Sequence, residues 1–205
     1  MTKSGLDLSG TWKPIVTYDF LEAYDNFLKA CGESYWMRKL LVNAVSMQTQ
    51  QVRQYGQGKR LEIVDIHPMA RWNRTIVASG MNLSPLHQRY GYEEYVNTMI
   101  DPQGNEMVIT AHWCNNGTVH KSALKTSKRR LQDAWLETNR FLTKVASSTE
   151  DDVEPETGLN AVSSDSQSSE YILVCESIFH PPPASASNEN GNLRPASIVW
   201  KYERV

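Results

Sequence analysis

Three groups of residues have the types and spacing to do chemistry. His112, Cys114 and His120 lie close together, and imidazole with thiolate is a zinc donor set. The intervening Asn115-Asn116-Gly117 argues against a shared site. A hairpin turning on Asn116-Gly117 pairs Trp113 with His120 and Cys114 with Val119, which puts His112 and Cys114 on one face and His120 on the other. No metal site is assigned. Arg71 and Arg74 flank Trp72 on opposite strand parities, so one guanidinium can point inward, where a buried arginine without a partner is costly and becomes a ligand-anchor candidate; exposure of both is the plain alternative. Near the carboxyl terminus, Trp200-Lys201-Tyr202 places Trp200 and Tyr202 on one strand face and Lys201 on the other. The aromatics Tyr18, Trp36, Trp72, Tyr90, Trp200 and Tyr202 can line an apolar cavity or fill a core. Gly-x-Ser-x-Gly, His-Glu-x-x-His and phosphate-binding glycine loops are absent, and Gly56-x-Gly58 lacks a third glycine and a following helix. No catalytic residue is assigned.

The elements that would position these residues are mostly short strands. Gly10 to Tyr18 is rich in aromatic and β-branched residues and reads as a first strand in which Pro14 suits an edge or bulge. Asp19 can cap a helix whose apolar positions Phe20, Ala23, Tyr24, Phe27, Leu28 and Cys31 recur at three and four residues, with Gly32 as its stop. Ser34 caps a second helix through about Val42, which gives a helix-turn-helix cover. Hairpins follow: Met47–Tyr55 with Arg60–Ile66, Tyr92–Ile100 with Glu106–Trp113 around Asp101-Pro102-Gln103-Gly104, and a strand Thr118–Thr126 after the Asn-Gly turn. Leu131, Trp135, Thr138, Leu142 and Val145 follow helical spacing and predict an amphipathic helix over 127–145, with a strand pair as the competing reading.

Length and charge bound the class. At 205 residues, 40% hydrophobic, 21% charged and net charge −2, the chain reads as one soluble domain over 1–205, with no nucleic-acid partner implied. Residues 1–144 hold 18 basic and 13 acidic side chains, whereas 145–193 hold none and 9. The Ser- and Asp-rich stretch 147–169 buries too little apolar surface to order and is expected to be a disordered loop. Pro181-Pro182-Pro183 opens a second long connection, and Glu170–Phe179 and Ala196–Val205 return to strand-like composition. Apolar runs such as Tyr171–Cys175 are far shorter than the roughly 18 residues of a membrane span. The amino terminus has no apolar signal core, so a cytoplasmic chain with reduced Cys31, Cys114 and Cys175 is expected.

Gly10-Thr11-Trp12-Lys13, then a short helix, Gly32, a second helix ending in Arg38-Lys39, then successive hairpins, resembles the intracellular fatty-acid-binding protein family of the calycin superfamily. Tyr202-Glu203-Arg204-Val205 resembles the family's closing strand, and Trp113 is similar to the tryptophan that closes a late barrel strand there. The likeness covers about 8–126, 170–179 and 196–205, with 127–169 (helix plus acidic Ser-rich loop) and 180–195 (Pro/Asn loop) as insertions. The resemblance implies a mainly β fold: an antiparallel up-and-down β-barrel of ten strands, capped by the helix-turn-helix, enclosing a cavity for one lipid.

It also implies a ligand site, with one departure. Family members hold the lipid carboxylate with an Arg-x-Tyr pattern on the closing strand. Here Tyr202 matches, but Trp200 stands at the arginine position. The second anchoring arginine would fall near Lys121 to Lys125, where none occurs. The expectation is a non-enzymatic cytoplasmic carrier, a monomer needing no cofactor. A fatty acid or related lipid would touch Tyr202 and Trp200, with Tyr24, Phe27 and Leu28 at the portal, and Arg38 and Lys39 would steer transient contact with a membrane surface. The alternative is a non-catalytic protein-interaction module with a filled barrel, acting through its insertions. A third reading, carriage of a tetrapyrrole or catalysis on it, would announce itself by a visible absorption band.

Overall fold

The computed structural model describes residues 6–56, 58–68, 70–78, 97–100, 104–126, 134–145, 171–182 and 193–205. Strand β1 (Gly10–Pro14) is shorter than its composition predicts. Proline has no N–H for the ladder, and the chain turns away after Ile15 donates to the Lys201 carbonyl (2.8 Å). Thr17, rather than Asp19, caps α1 (Tyr18–Ala30): its hydroxyl accepts from the Phe20 N–H at 3.2 Å, and Asp19 falls in the first turn, where a carboxylate suits the helix dipole. Gly32, at φ +80°, ends the helix, with its N–H on the Lys29 carbonyl. Ser34 caps α2 (Tyr35–Ala44) as expected, accepting from the Met37 N–H at 3.4 Å.

Nine further strands follow among the described residues: β2 (Thr49–Tyr55), β3 (Arg60–His67), β4 (Ala70–Val77), β5 (Asn97–Ile100), β6 (Glu106–Cys114), β7 (Val119–Thr126), β8 (Trp135–Lys144), β9 (Tyr171–His180) and β10 (Ala196–Arg204). All pairings are antiparallel, in the order β4-β3-β2-β1-β10-β9-β8-β7-β6-β5. The sheet curls until its two ends meet, where the Asn97 side-chain amide donates to the Val77 carbonyl (3.3 Å). This is the capped up-and-down barrel expected from the sequence, with α1 and α2 inserted between β1 and β2.

Two apolar clusters sit at different levels of the barrel. One gathers Leu8, Trp12, Val52, Leu61, Ile63, Ile76, Ile109, Trp113 and Leu173. Its turns are tied by side chains: Trp113 Nε1 donates to the Gly58 carbonyl at 2.6 Å, and Trp12 Nε1 to the Leu8 carbonyl at 3.0 Å. Gly58 combines φ +87° with close neighbours, a Cβ there lying 3.1 Å from the Trp113 ring, so any side chain would be both strained and crowded. The second cluster joins Tyr24, Phe27 and Leu28 of α1 to Val45, Ala134, Phe179 and Ile198. The three and four residue spacing of those helix positions is what lets one face of α1 cover the barrel.

The largest correction concerns the helix expected over 127–145. Residues 135–144 are β8, a central strand paired with β7 and β9, and so belong to the barrel rather than to an insertion. Helical spacing was a poor guide because apolar residues lie on both strand faces: Leu136 and Leu142 point inward, Trp135 and Phe141 outward. Residues 127–133, the acidic loop expected over 147–169 and most of the Pro/Asn connection lie outside the described residues.

Candidate functional site

Residues directly opposite in an antiparallel ladder share a face, so the registers identify the inward-facing side chains. One inward row runs Trp113, His120, Arg140, Cys175, Trp200 across β6 to β10. The next runs Ala111, Ser122, Thr138, Ser177, Ile198. Tyr202 lies one row to the other side, opposite Leu173 and Pro14. The expected pairing of Trp113 with His120 is observed, and His112 takes the outer face, so the two histidines cannot share a ligand.

Arg140 is the centre of this wall. It is 4% exposed, and Nη1 donates to the Ser122 hydroxyl at 2.8 Å. The hydroxyls of Thr138 and Ser177 lie 3.5 Å apart in the same row. Among the described residues no carboxylate forms an ion pair with Arg140, and its Nε has no hydrogen-bond partner. Burial, then the nearby Arg74 charge, pulls its pKa below the ordinary arginine value, against the opposing pull of Cys175. Asp65 also pulls it upward, while the thiol, phenol and imidazole beside it are held neutral. Burial pushes the Tyr202 phenol well above its usual range and the Cys175 thiol to about 11. Burial, reinforced by the Arg140 charge, holds His120 well below the usual histidine value. The wall therefore presents a buried cation with no ion-pair partner among the described residues, beside neutral hydrogen-bonding groups.

A second polar group lies on β2 to β4. Gln50, Asp65 and Trp72 are register partners in one row, and Arg74 shares their face. Arg74 is thus the inward member of the Arg71/Arg74 pair, and Arg71 is exposed. The charge of Arg74 is matched: it pairs with Asp65, which also accepts from Gln50 Nε2 at 2.7 Å, and its guanidinium lies 4.5 Å from the Trp72 ring centre.

Of the remaining expected contacts, Trp200 and Tyr24 come together, with ring centres 4.9 Å apart; Phe20 lies 5.0 Å from Trp200, and Tyr202 6.1 Å. Trp200 thus joins the barrel wall to α1. Phe27 and Leu28 are buried in the cluster beneath α1. Arg38 and Lys39 both reach Asp25, at 2.6 and 3.7 Å, so a single carboxylate faces two cations and one positive charge is left over.

Solved structures give the same architecture. The REP1-NXSQ fatty acid transporter superposes with a TM-score of 0.53 at 14% identity, 97% of this chain aligning with 96% of that one. Echinococcus granulosus fatty-acid-binding protein 1 gives 0.51 at 12%, with 97% of each chain covered. Caenorhabditis elegans lipid binding protein 8 gives 0.52 at 9%, covering 96% of this chain and 94% of that one. The fold is the fatty-acid-binding-protein barrel. No protein-family model and no curated protein sequence matches the chain. In the interior of this barrel a buried arginine does occur, one strand beyond the Lys121–Lys125 segment where it was sought. It is Arg140 of β8, within the stretch whose spacing predicts a helix. Its signal in the sequence was an arginine five residues after an aromatic and two before a leucine, legible only once β8 is read as a strand. Among the described residues no helix is long and apolar enough to cross a membrane.

Proposed function

We propose that the protein binds and carries one hydrophobic ligand with an anionic head, most simply a fatty acid, inside the barrel, without covalent chemistry. The observation that carries this reading is Arg140: a guanidinium buried among hydroxyls and a phenol, with no carboxylate partner among the described residues. A lone buried cation costs several kcal/mol, a cost that an incoming carboxylate offsets through charge-assisted hydrogen bonds. Tyr202, neutral and inward, is the companion donor, and Trp200, Tyr24, Phe27 and Leu28 supply apolar contact at the helix-covered end. Each methylene so buried contributes about 0.8 kcal/mol. Arg140 thus takes the role that the closing-strand arginine plays in the family, with Trp200 standing where that arginine would be.

Exchange of ligand with a membrane fits the exposed side chains of α2. Tyr35, Trp36, Met37 and Leu40 all face solvent. Asp25 offsets one of the two charges of Arg38 and Lys39, so insertion of these apolar groups acts together with the remaining positive charge. The neutral side chains and the fold favour a carrier over an enzyme, and a cytoplasmic site of action agrees with the three free cysteines.

The test compares a long-chain fatty acid with its methyl ester in wild type and Arg140→Gln, by displacement of a fluorescent fatty acid. Loss of a charge-assisted contact predicts acid affinity reduced about 10- to 100-fold, with the ester nearly unchanged. Equal affinities of both variants for the acid would refute the assignment.

A further inference from the structure

The β2–β4 wall is built to read a second part of the ligand. Resting on the carrier reading above, we infer that the preferred ligand is a bifunctional lipid: a carboxylate at Arg140 and, along its chain, one neutral oxygen function, a hydroxyl or keto group, at the row Gln50–Asp65–Trp72.

Three buried polar atoms on this wall have no partner: Gln50 Oε1, Trp72 Nε1 and Arg74 Nε. Gln50 is only 5% exposed, and its other amide atom is already committed to Asp65. One acceptor and two donors on one inward face are what a hydroxyl needs, since it gives one hydrogen bond and accepts two; a keto oxygen uses the donors alone. A buried polar atom left unpaired costs about 1–3 kcal/mol, so these atoms favour a guest that satisfies them.

The charge of the wall selects a neutral group. Arg74 is already neutralised by Asp65 and held against Trp72, so a second carboxylate would meet the Asp65 charge with no free cation to offset it. The two walls therefore differ in kind: among the described residues Arg140 has no ion-pair partner, whereas Arg74 is paired with Asp65. Both walls face the one barrel interior, β2–β4 and β7–β9 lying on either side of β1 and β10 in the curled sheet, so one molecule can touch both. In the unliganded protein, water can serve the orphaned atoms, and the ligand oxygen would replace it with its hydrogen bonds intact.

The experiment measures affinities for stearate and for its mid-chain hydroxy and keto derivatives in wild type, Gln50→Leu and Trp72→Phe. Wild type should prefer at least one oxygenated isomer by about tenfold, the worth of one to two hydrogen bonds. Either substitution should pull that ratio toward one. No preference for any isomer in wild type, or a preference that survives both substitutions, would overturn the inference while leaving the carrier reading intact. Failure of every acid to bind, stearate included, would overturn both.

Discussion

His120 shows how a single interior position couples the fold to pH. It is fully buried, both ring nitrogens lack partners, and it packs edge-on against Trp113 with ring centres 5.1 Å apart. Because burial and the Arg140 charge, with a further push from His112, keep it neutral in the fold, only the unfolded chain takes up its proton as pH falls below about 6.5. The sign follows: the native state loses stability on the acid side of that value and gains nothing above it. Urea unfolding at pH 7 and pH 5 should show wild type losing about 2 kcal/mol more than His120→Gln over that interval. Equal losses would show that His120 is protonated in the folded protein. The register that places His120 inward was legible in Asn116-Gly117. The role of its neighbour Arg140 was not, because an arginine between Asn139 and Phe141 looks the same on an exposed helix face as inside a polar barrel until its strand partners are known.

At the level of elements, the strands that the sequence concealed are the ones that carry the polar interior. β4 shows no apolar alternation because its inward face holds Trp72 and Arg74 opposite Asp65 and Ile63. β8 shows helical spacing because both its faces are partly apolar. Hydrophobic periodicity reports burial against an apolar core, so a binding interior lined with charge and hydroxyls erases it where function is placed. Hairpins with strong turn chemistry, the Ser34 cap and the closing strand were readable because their signals are local, whereas the cap of α1 fell at Thr17 instead of the expected Asp19. The docking of α1 is a tertiary effect that hangs on Trp200, wedged against Phe20, Tyr24 and Tyr202. Trp200→Ala should cost about 2–4 kcal/mol and speed hydrogen exchange of the Tyr18–Ala30 amides more than that of β2 or β3. Uniform exchange across helix and strands would mean that α1 is held by other contacts.

Across the whole molecule, an apolar cluster bound by Trp12 and Trp113 and a second beneath α1 lie at different levels of the barrel, and the polar rows share its inward faces. The central claim is that a lipid acid occupies this interior, anchored by a guanidinium that the resemblance alone did not locate. The most direct test is native mass spectrometry of the protein as purified, with organic extraction of whatever is bound. The account predicts one equivalent of an acidic lipid, released on denaturation and lost from Arg140→Gln. A protein that is empty as purified and takes up neither a fluorescent fatty acid nor stearate would contradict it.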